Sequence, residues 1–195
     1  MNGRSPIQNG YDIKMKKLPV TLPGVVLLEL DIHTDHRGRF LEIFHHDRYR
    51  EFGIDADFVQ DNFSSSVRGA LRGLHYQLRR PQGKLVHVTR GEVFDVAIDI
   101  RRGSPTFGKW FGARLFVGHQ MWIPPGYAHG FFVMSDVADF AYKCTAVYAP
   151  ADERTIAWND PELAINWPMP SQPKLSARDA AAPKLRDAEL PDYVP

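Results

Sequence analysis

The chain has one cysteine, Cys144, so no internal disulfide framework is open to it, and this usage suits a reducing compartment. It has no apolar run near the roughly 20 residues that span a bilayer. The opening stretch MNGRSPIQNGYDIKMKK lacks the apolar centre of a secretory signal. Charge of one sign is missing too. The 24 Lys and Arg nearly balance 23 Asp and Glu, which gives no electrostatic reason to expect nucleic acid or an acidic membrane as a partner. Repeats and low-complexity tracts are absent. What remains is a cytoplasmic, soluble chain of 195 residues, a length that suits one domain. Residues 1–17 hold Gly, Ser, Asn, Pro and Lys without periodicity and are expected to form a flexible extension, leaving 18–195 as the domain.

Short strand-like runs are plentiful. They are expected at 25–32, 39–44, 58–62, 70–77, 84–89, 92–100, 110–117, 120–123, 129–134 and 138–147, with Gly or Pro at nearly every junction. Close, regular spacing of this kind predicts an all-β sandwich or barrel and not alternating βαβ units. A helical turn is expected over 47–52 with Asp47 at its N-cap. Beyond Pro168 the chain is rich in Pro and Ala. Ser176–Ala181 and Pro183–Asp187 are short helix candidates there, in a tail expected to cover an open end of the barrel.

The chain is organised around GALRGLHYQLRRPQGKLVHVTRG, residues 69–91. Alternation in an unbroken strand sends Arg72 and Leu74 to one face, and Leu71, Gly73, His75 and Gln77 to the other. Pro81-Gln82-Gly83 is turn chemistry, and Lys84–Thr89 is β-branched and apolar. Two adjacent antiparallel strands would then bring His75 and Lys84 to one ligand. An ordinary hairpin with a surface His and a surface Lys fits the same residues.

Two stretches resemble the paired motifs of the cupin superfamily. Gly69 and His75 match the first, and Gly118, Pro124, Gly126 and His129 match the second in register. Where that superfamily carries a further His and a Glu as metal ligands, this chain has Gln77 and Lys84, and Val133 replaces an Asn. A cation in a ligand position repels a divalent ion, so no catalytic metal is expected. An imidazole and an ammonium suit proton abstraction from a carbon acid, with the ammonium steadying the enolate oxygen.

Ten ordered stretches resemble a single family, the dTDP-4-dehydrorhamnose 3,5-epimerases. They are DHRGRFLEIF, FVQDNFS, LRGLHYQ, QGKLV, GEVFDVAIDIR, SPTFGKW, WIPPGYAHGF, YKCT, WNDPELAINWP and LSARDAAAP, spread over about residues 24–183. The resemblance implies an antiparallel jelly-roll barrel with a few short helices and a cofactor-free inversion at two carbons beside a ketone. It makes His75 the base, Asp179 its charge partner, Tyr142 the acid on the other face of the sugar, and Lys84 the enolate's partner. It assigns the nucleotide end to Arg37, Glu42, Gln60, Asn62 and Arg72, with Phe40 and Tyr148 as stacking partners for the thymine. His129, Glu153 and Arg178 fall on the sugar or phosphate side, Arg178 standing where the family commonly has Lys. The family is dimeric with exchanged N-terminal strands, and the 25–32 run suits such an exchange.

Alternatives stay open. An epimerase acting at C3 or C5 alone, or on another 4-keto sugar, shares most of these stretches, and a non-catalytic sugar-binding cupin shares the barrel. Tyr142 lies on the Ala138-Phe140-Cys144 face, where a Tyr commonly serves as core. Asp179 by itself reads as an ordinary capping acid. Asp95 and Asp99 fit as buried partners of His75 or Lys84, or as structural pairs with Arg101 and Arg102. Trp122, Trp158, Trp167 and Cys144 read as packing.

The Gln77 and Lys84 replacements carry a prediction. Epimerisation of a 4-keto nucleotide sugar is expected to survive a chelator and to gain nothing from added divalent ions. Activity lost to the chelator and restored by an ion would overturn it.

Overall fold

A computed structural model describes residues 14–193. Two antiparallel sheets face each other. Pairing runs β1 (Met15–Leu18), β2 (Val26–Leu30), β10 (His119–Ile123), β7 (Lys84–Arg90), β12 (Val137–Cys144), β5 (Gln60–Val67) in the six-stranded sheet. The five-stranded sheet is ordered β13 (Glu153–Thr155), β6 (Leu71–Gln77), β11 (Tyr127–Val133), β8 (Glu92–Asp99), β9 (Trp110–Phe116). A separate hairpin joins β3 (His33–Asp35) and β4 (Gly38–Phe40). The jelly-roll expectation holds.

Three apolar layers follow from strand alternation. Val86, Val88, Met121 and Phe140 of one sheet meet Val93, Ala97, Leu115, Phe131 and Val133 of the other inside the barrel. Outside the six-stranded sheet, Val26, Leu28, Leu30, Leu85 and Trp122 are covered by Tyr49, Ile54, Phe44 and Phe58. Outside the five-stranded sheet, Leu71, Leu74, Tyr76, Val96 and Ile98 are covered by Ile156, Leu163, Trp167, Leu185 and Leu190. Most of the C-terminal segment therefore lies on the outer face of this sheet, because its apolar residues pack against that face.

Several expectations need correction. Of the expected extension, residues 1–13 lie outside the described residues, whereas Met15–Lys17 belong to β1, paired with β2 over Met15↔Leu30 to Leu18↔Leu27. Pairing and the packing of Met15 and Leu18 outweigh the polar composition. Helix α1 spans His46–Glu51 and is capped by His45, which accepts from the Arg48 amide, so Asp47 sits inside the first turn. Strand β5 runs on through three serines to Val67 because β12 supplies a partner as far as Val137↔Val67. β13 went unforeseen, since three residues carry no period.

The largest correction concerns residues 69–91. β6 and β7 do not form a hairpin; they lie in opposite sheets. Gln82 Nε2 donates to the Ala146 carbonyl (2.7 Å) and the Gly83 amide to Thr145 Oγ1 (2.8 Å), which draws the connection away from β6 and onto the end of β12. Nor is β6 unbroken. Its register against β11 slips between His129↔His75 and Phe131↔Arg72. The break lies at Gly73, whose φ is +136° and where an added Cβ would stand 2.5 Å from Gly130 Cα. A residue inserted on one strand reverses the alternation beyond it. Arg72 and His75 therefore share the inner face, while Leu71, Leu74 and Tyr76 pack outside.

Gly73→Ala meets both the backbone conformation and the contact with Gly130. It is expected to cost about 2–4 kcal/mol of folding stability. Urea denaturation measures this, and a midpoint equal to the parent's would show that the two strands separate easily.

Candidate active site

Strand geometry collects polar side chains on one stretch of barrel wall. Alternation along β5 turns Gln60, Asn62 and Ser64 inward. From β6 come Arg72 and His75, from β7 Lys84, from β11 His129 and Phe131, from β12 Phe140 and Tyr142, and from β13 Glu153. With Gln82 and Tyr148 they line a cavity of about 320 Å³. His75 and Lys84 thus meet one space after all, from facing sheets.

His75 Nε2 lies 2.7 Å from Asp179 Oδ1. An ionised carboxylate only accepts, so Nε2 carries the proton and Nδ1 keeps the lone pair. Asp179 is 4% exposed. Burial alone would raise its pKa, but the His75 hydrogen bond, with help from Ser176 and Arg178, outweighs that and holds the carboxyl below its ordinary value. Asp179 stands on α2 (Ala177–Ala180), inside the expected helix 176–181.

A second imidazole–carboxylate pair lies beside the first. His129 is the cross-strand neighbour of His75, and its Nε2 is 2.9 Å from Asp95 Oδ2. Burial depresses the His129 pKa, more than Asp95 restores it. Asp95 is thus the hydrogen-bond partner of His129 and reaches Lys84 only through its charge. Asp99 takes the structural alternative: it accepts from Arg101, Ser104 and Thr106, and these bonds overcome its burial and lower its pKa to about 2. The pairing of Asp95 with His129 carries no local signal, since only the register of β8 on β11 brings the two strands together.

Burial also lowers the pKa of Lys84, against the pull of Cys144, Glu153 and Asp95. It raises that of Tyr142, so the phenol keeps its proton at neutral pH. Tyr142 packs against the barrel core and also lines the cavity, so both readings of its face apply. Phe131 and Phe140 stack at 4.2 Å beside it, an apolar patch in a polar wall. Gln77, at the former ligand position, is held by backbone: its Nε2 donates to the Arg80 carbonyl and its Oε1 accepts from the Ala149 amide. Among the described residues, no group of three His, Cys, Asp or Glu side chains is placed to hold a metal ion.

At the mouth, Tyr148 Oη donates to Glu153 Oε2 (2.7 Å), and Arg178 Nη1 donates to the same oxygen. Arg72 Nε donates to Ser66 Oγ (2.9 Å), and Gln60 Nε2 to Asn62 Oδ1 (2.9 Å). Three expected site residues are not brought to this cavity. Arg37 pairs with Asp35 on the β3–β4 hairpin, Phe40 is 53% exposed, and Glu42 is bound to Arg48. The hairpin pairs with neither main sheet, although Arg39 Nη2 donates to the Thr89 carbonyl of β7 (3.2 Å), and its residues line a separate groove.

Comparison with known proteins agrees with this geometry. The pattern of the dTDP-4-dehydrorhamnose 3,5-epimerase family matches residues 19–187. A protein of that name from Pseudomonas aeruginosa is 52% identical over 178 residues, covering 90% of this chain and 98% of its own. The crystal structure of a dTDP-6-deoxy-D-glucose-3,5-epimerase from Legionella pneumophila in complex with dTDP-4-keto-L-rhamnose superposes with a TM-score of 0.90 at 51% identity, covering 93% of this chain and all of that one. A 3′-monoepimerase from Streptomyces bikiniensis in complex with dTDP-quinovose also superposes, with a TM-score of 0.84 at 39% identity, over 90% of this chain and 92% of that one. With the family pattern matched over most of its length and a relative 52% identical across nearly all of both chains, the chain belongs to the dTDP-4-dehydrorhamnose 3,5-epimerase family.

Proposed function

We propose that this protein is an isomerase that inverts C3 and C5 of dTDP-4-dehydro-6-deoxy-D-glucose, giving dTDP-4-dehydro-L-rhamnose. One observation carries the reading. A paired imidazole on β6 and a protonated phenol on β12 face one cavity from opposite sheets, with a half-buried ammonium on β7 beside them.

The C4 ketone acidifies the hydrogens on C3 and C5. His75 Nδ1 takes such a proton, and Asp179 stabilises the imidazolium that results. Charge moves to the ketone oxygen, where Lys84, poorly hydrated through burial, supplies the compensating charge. Inversion requires the new proton to arrive from the other face, and Tyr142 holds one there. Arg72, Gln60 and Asn62 suit the diphosphate and base, with Tyr148 at the mouth for the thymine. Glu153, His129 and Arg178 fall to the sugar and phosphate side.

Arg37, Phe40 and Glu42 point to a homodimer in which each hairpin completes the nucleotide end of the partner's cavity. That these residues line no part of their own chain's cavity supports this, as does the family's exchange of N-terminal strands. A cytoplasmic setting fits the lone, unpaired Cys144. Sedimentation is expected to give twice the chain mass, and a fully active monomer would refute the exchange.

The reaction is tested with dTDP-4-keto-6-deoxyglucose in deuterated water. Label is expected at both C3 and C5; label at one carbon only would instead support the single-site activity of the monoepimerase relative. His75→Ala is expected to lose about 10²–10⁴-fold in rate with dTDP binding nearly intact. Tyr142→Phe separates the two halves of the reaction: His75 still lifts and returns protons, so solvent label enters unreacted substrate while epimerised product falls much further. The lost hydroxyl costs only about 1 kcal/mol of stability, so the fold survives. Epimerisation by Tyr142→Phe near the parent rate would remove Tyr142 as the acid.

A further inference from the structure

The carboxylate that pairs with His75 stands on an unusual support. Helix α2 is a single turn, Ala177–Ala180, too short to hold its own conformation. Asp179 is its one buried residue, while Ala177, Arg178 and Ala180 are exposed. No apolar face fixes its rotation, so polar contacts must. They include the His75–Asp179 bond itself, the contacts of Arg178 with Glu153 and Tyr148 at the exposed mouth, and the N-cap. The cap is Ser176, extended at φ −70° and ψ 160°, whose Oγ accepts from the Asp179 amide at 3.1 Å. That hydrogen bond ends on the backbone of the very residue whose carboxylate touches the imidazole.

We propose that Ser176 is a positioning residue of the epimerase site: its cap on the Asp179 amide sets the rotation of α2 and so holds the Asp179 carboxylate against His75. Ser176 is itself exposed and lines no part of the cavity, so it acts only through Asp179. Without the cap the helical turn frays from its N-terminal end, and the carboxylate loses its fixed approach to Nε2. Gln60, Asn62 and Arg72 lie on β5 and β6, so affinity for dTDP alone is unaffected, while the proton-transfer step slows and Arg178, on α2 itself, moves with the turn. The role in turnover rests on the epimerase reading above; the geometric role does not.

The test uses Ser176→Gly, which removes the hydroxyl at a position where glycine is itself an accepted cap, so stability changes little. Ser176→Thr restores the hydroxyl. The first readout needs no substrate: the downfield proton resonance of the His75 Nε2–H···Asp179 bond, assigned by its loss in Asp179→Asn. It is expected to be sharp in the parent and in Ser176→Thr, and broadened or lost in Ser176→Gly. The corresponding His129–Asp95 resonance serves as an internal control and is expected to be unmoved. The second readout is turnover, where Ser176→Gly is expected to lose about tenfold in kcat with dTDP affinity unchanged and Ser176→Thr to recover it. A His75 resonance unchanged in Ser176→Gly overturns the proposal, whatever the turnover. A parent without epimerase activity counts instead against the functional reading and leaves the resonance to decide the cap.

Discussion

The site depends on one close backbone approach. Gly73 and Gly130 pass each other where no side chain fits on either strand, and there the register of β6 on β11 slips. An unbroken β6 would put His75 and Arg72 on opposite faces of the sheet, since alternation has period two. The slip turns both inward and leaves Leu71, Leu74 and Tyr76 to the outer apolar layer. A guanidinium and an imidazole therefore share one wall.

Burial then tunes what the wall presents. It weakens the protonated form of His129 and Lys84 and strengthens that of Tyr142. Each imidazole is tied through Nε2 to a single carboxylate, which settles which nitrogen holds the proton. Two neighbouring histidines thus avoid competing for one acid, although their strands pair directly. The acids arrive by different routes: Asp95 from the adjacent strand β8, and Asp179 from a helical turn far along the chain.

That second route explains the C-terminal segment. Its apolar residues cover the outer face of the five-stranded sheet, and Trp110 and Trp167 each donate to a backbone carbonyl of the same segment. Asp160 accepts from the Leu185 amide at 2.6 Å, closing the segment on itself. Packed in this way, it carries α2 to the rim of the barrel. The coverage stabilises the sheet and delivers the hydrogen-bond partner of His75 in one structure.

Much was legible in the residues themselves. Period-two runs with Gly and Pro between them give short strands and an all-β fold, because strand alternation and turn conformation are local properties. The ordered stretches from DHRGRFLEIF to LSARDAAAP carried the family, and with it His75, Lys84, Tyr142 and Asp179. Tertiary structure alone decided the rest. The hairpin expected across residues 81–83 failed because turn residues do not specify which strands pair; contacts with Thr145 and Ala146 do. The alternation of β6 failed because a slip depends on the neighbouring strand's glycine as much as on Gly73. Asp95 found His129 only through the β8–β11 register, while Arg37 and Phe40 on the β3–β4 hairpin and Glu42 just beyond it stand outside the cavity. Chemistry is written in single residues and is therefore readable one by one, whereas register and sheet partner are properties of pairs that meet only when the chain has folded.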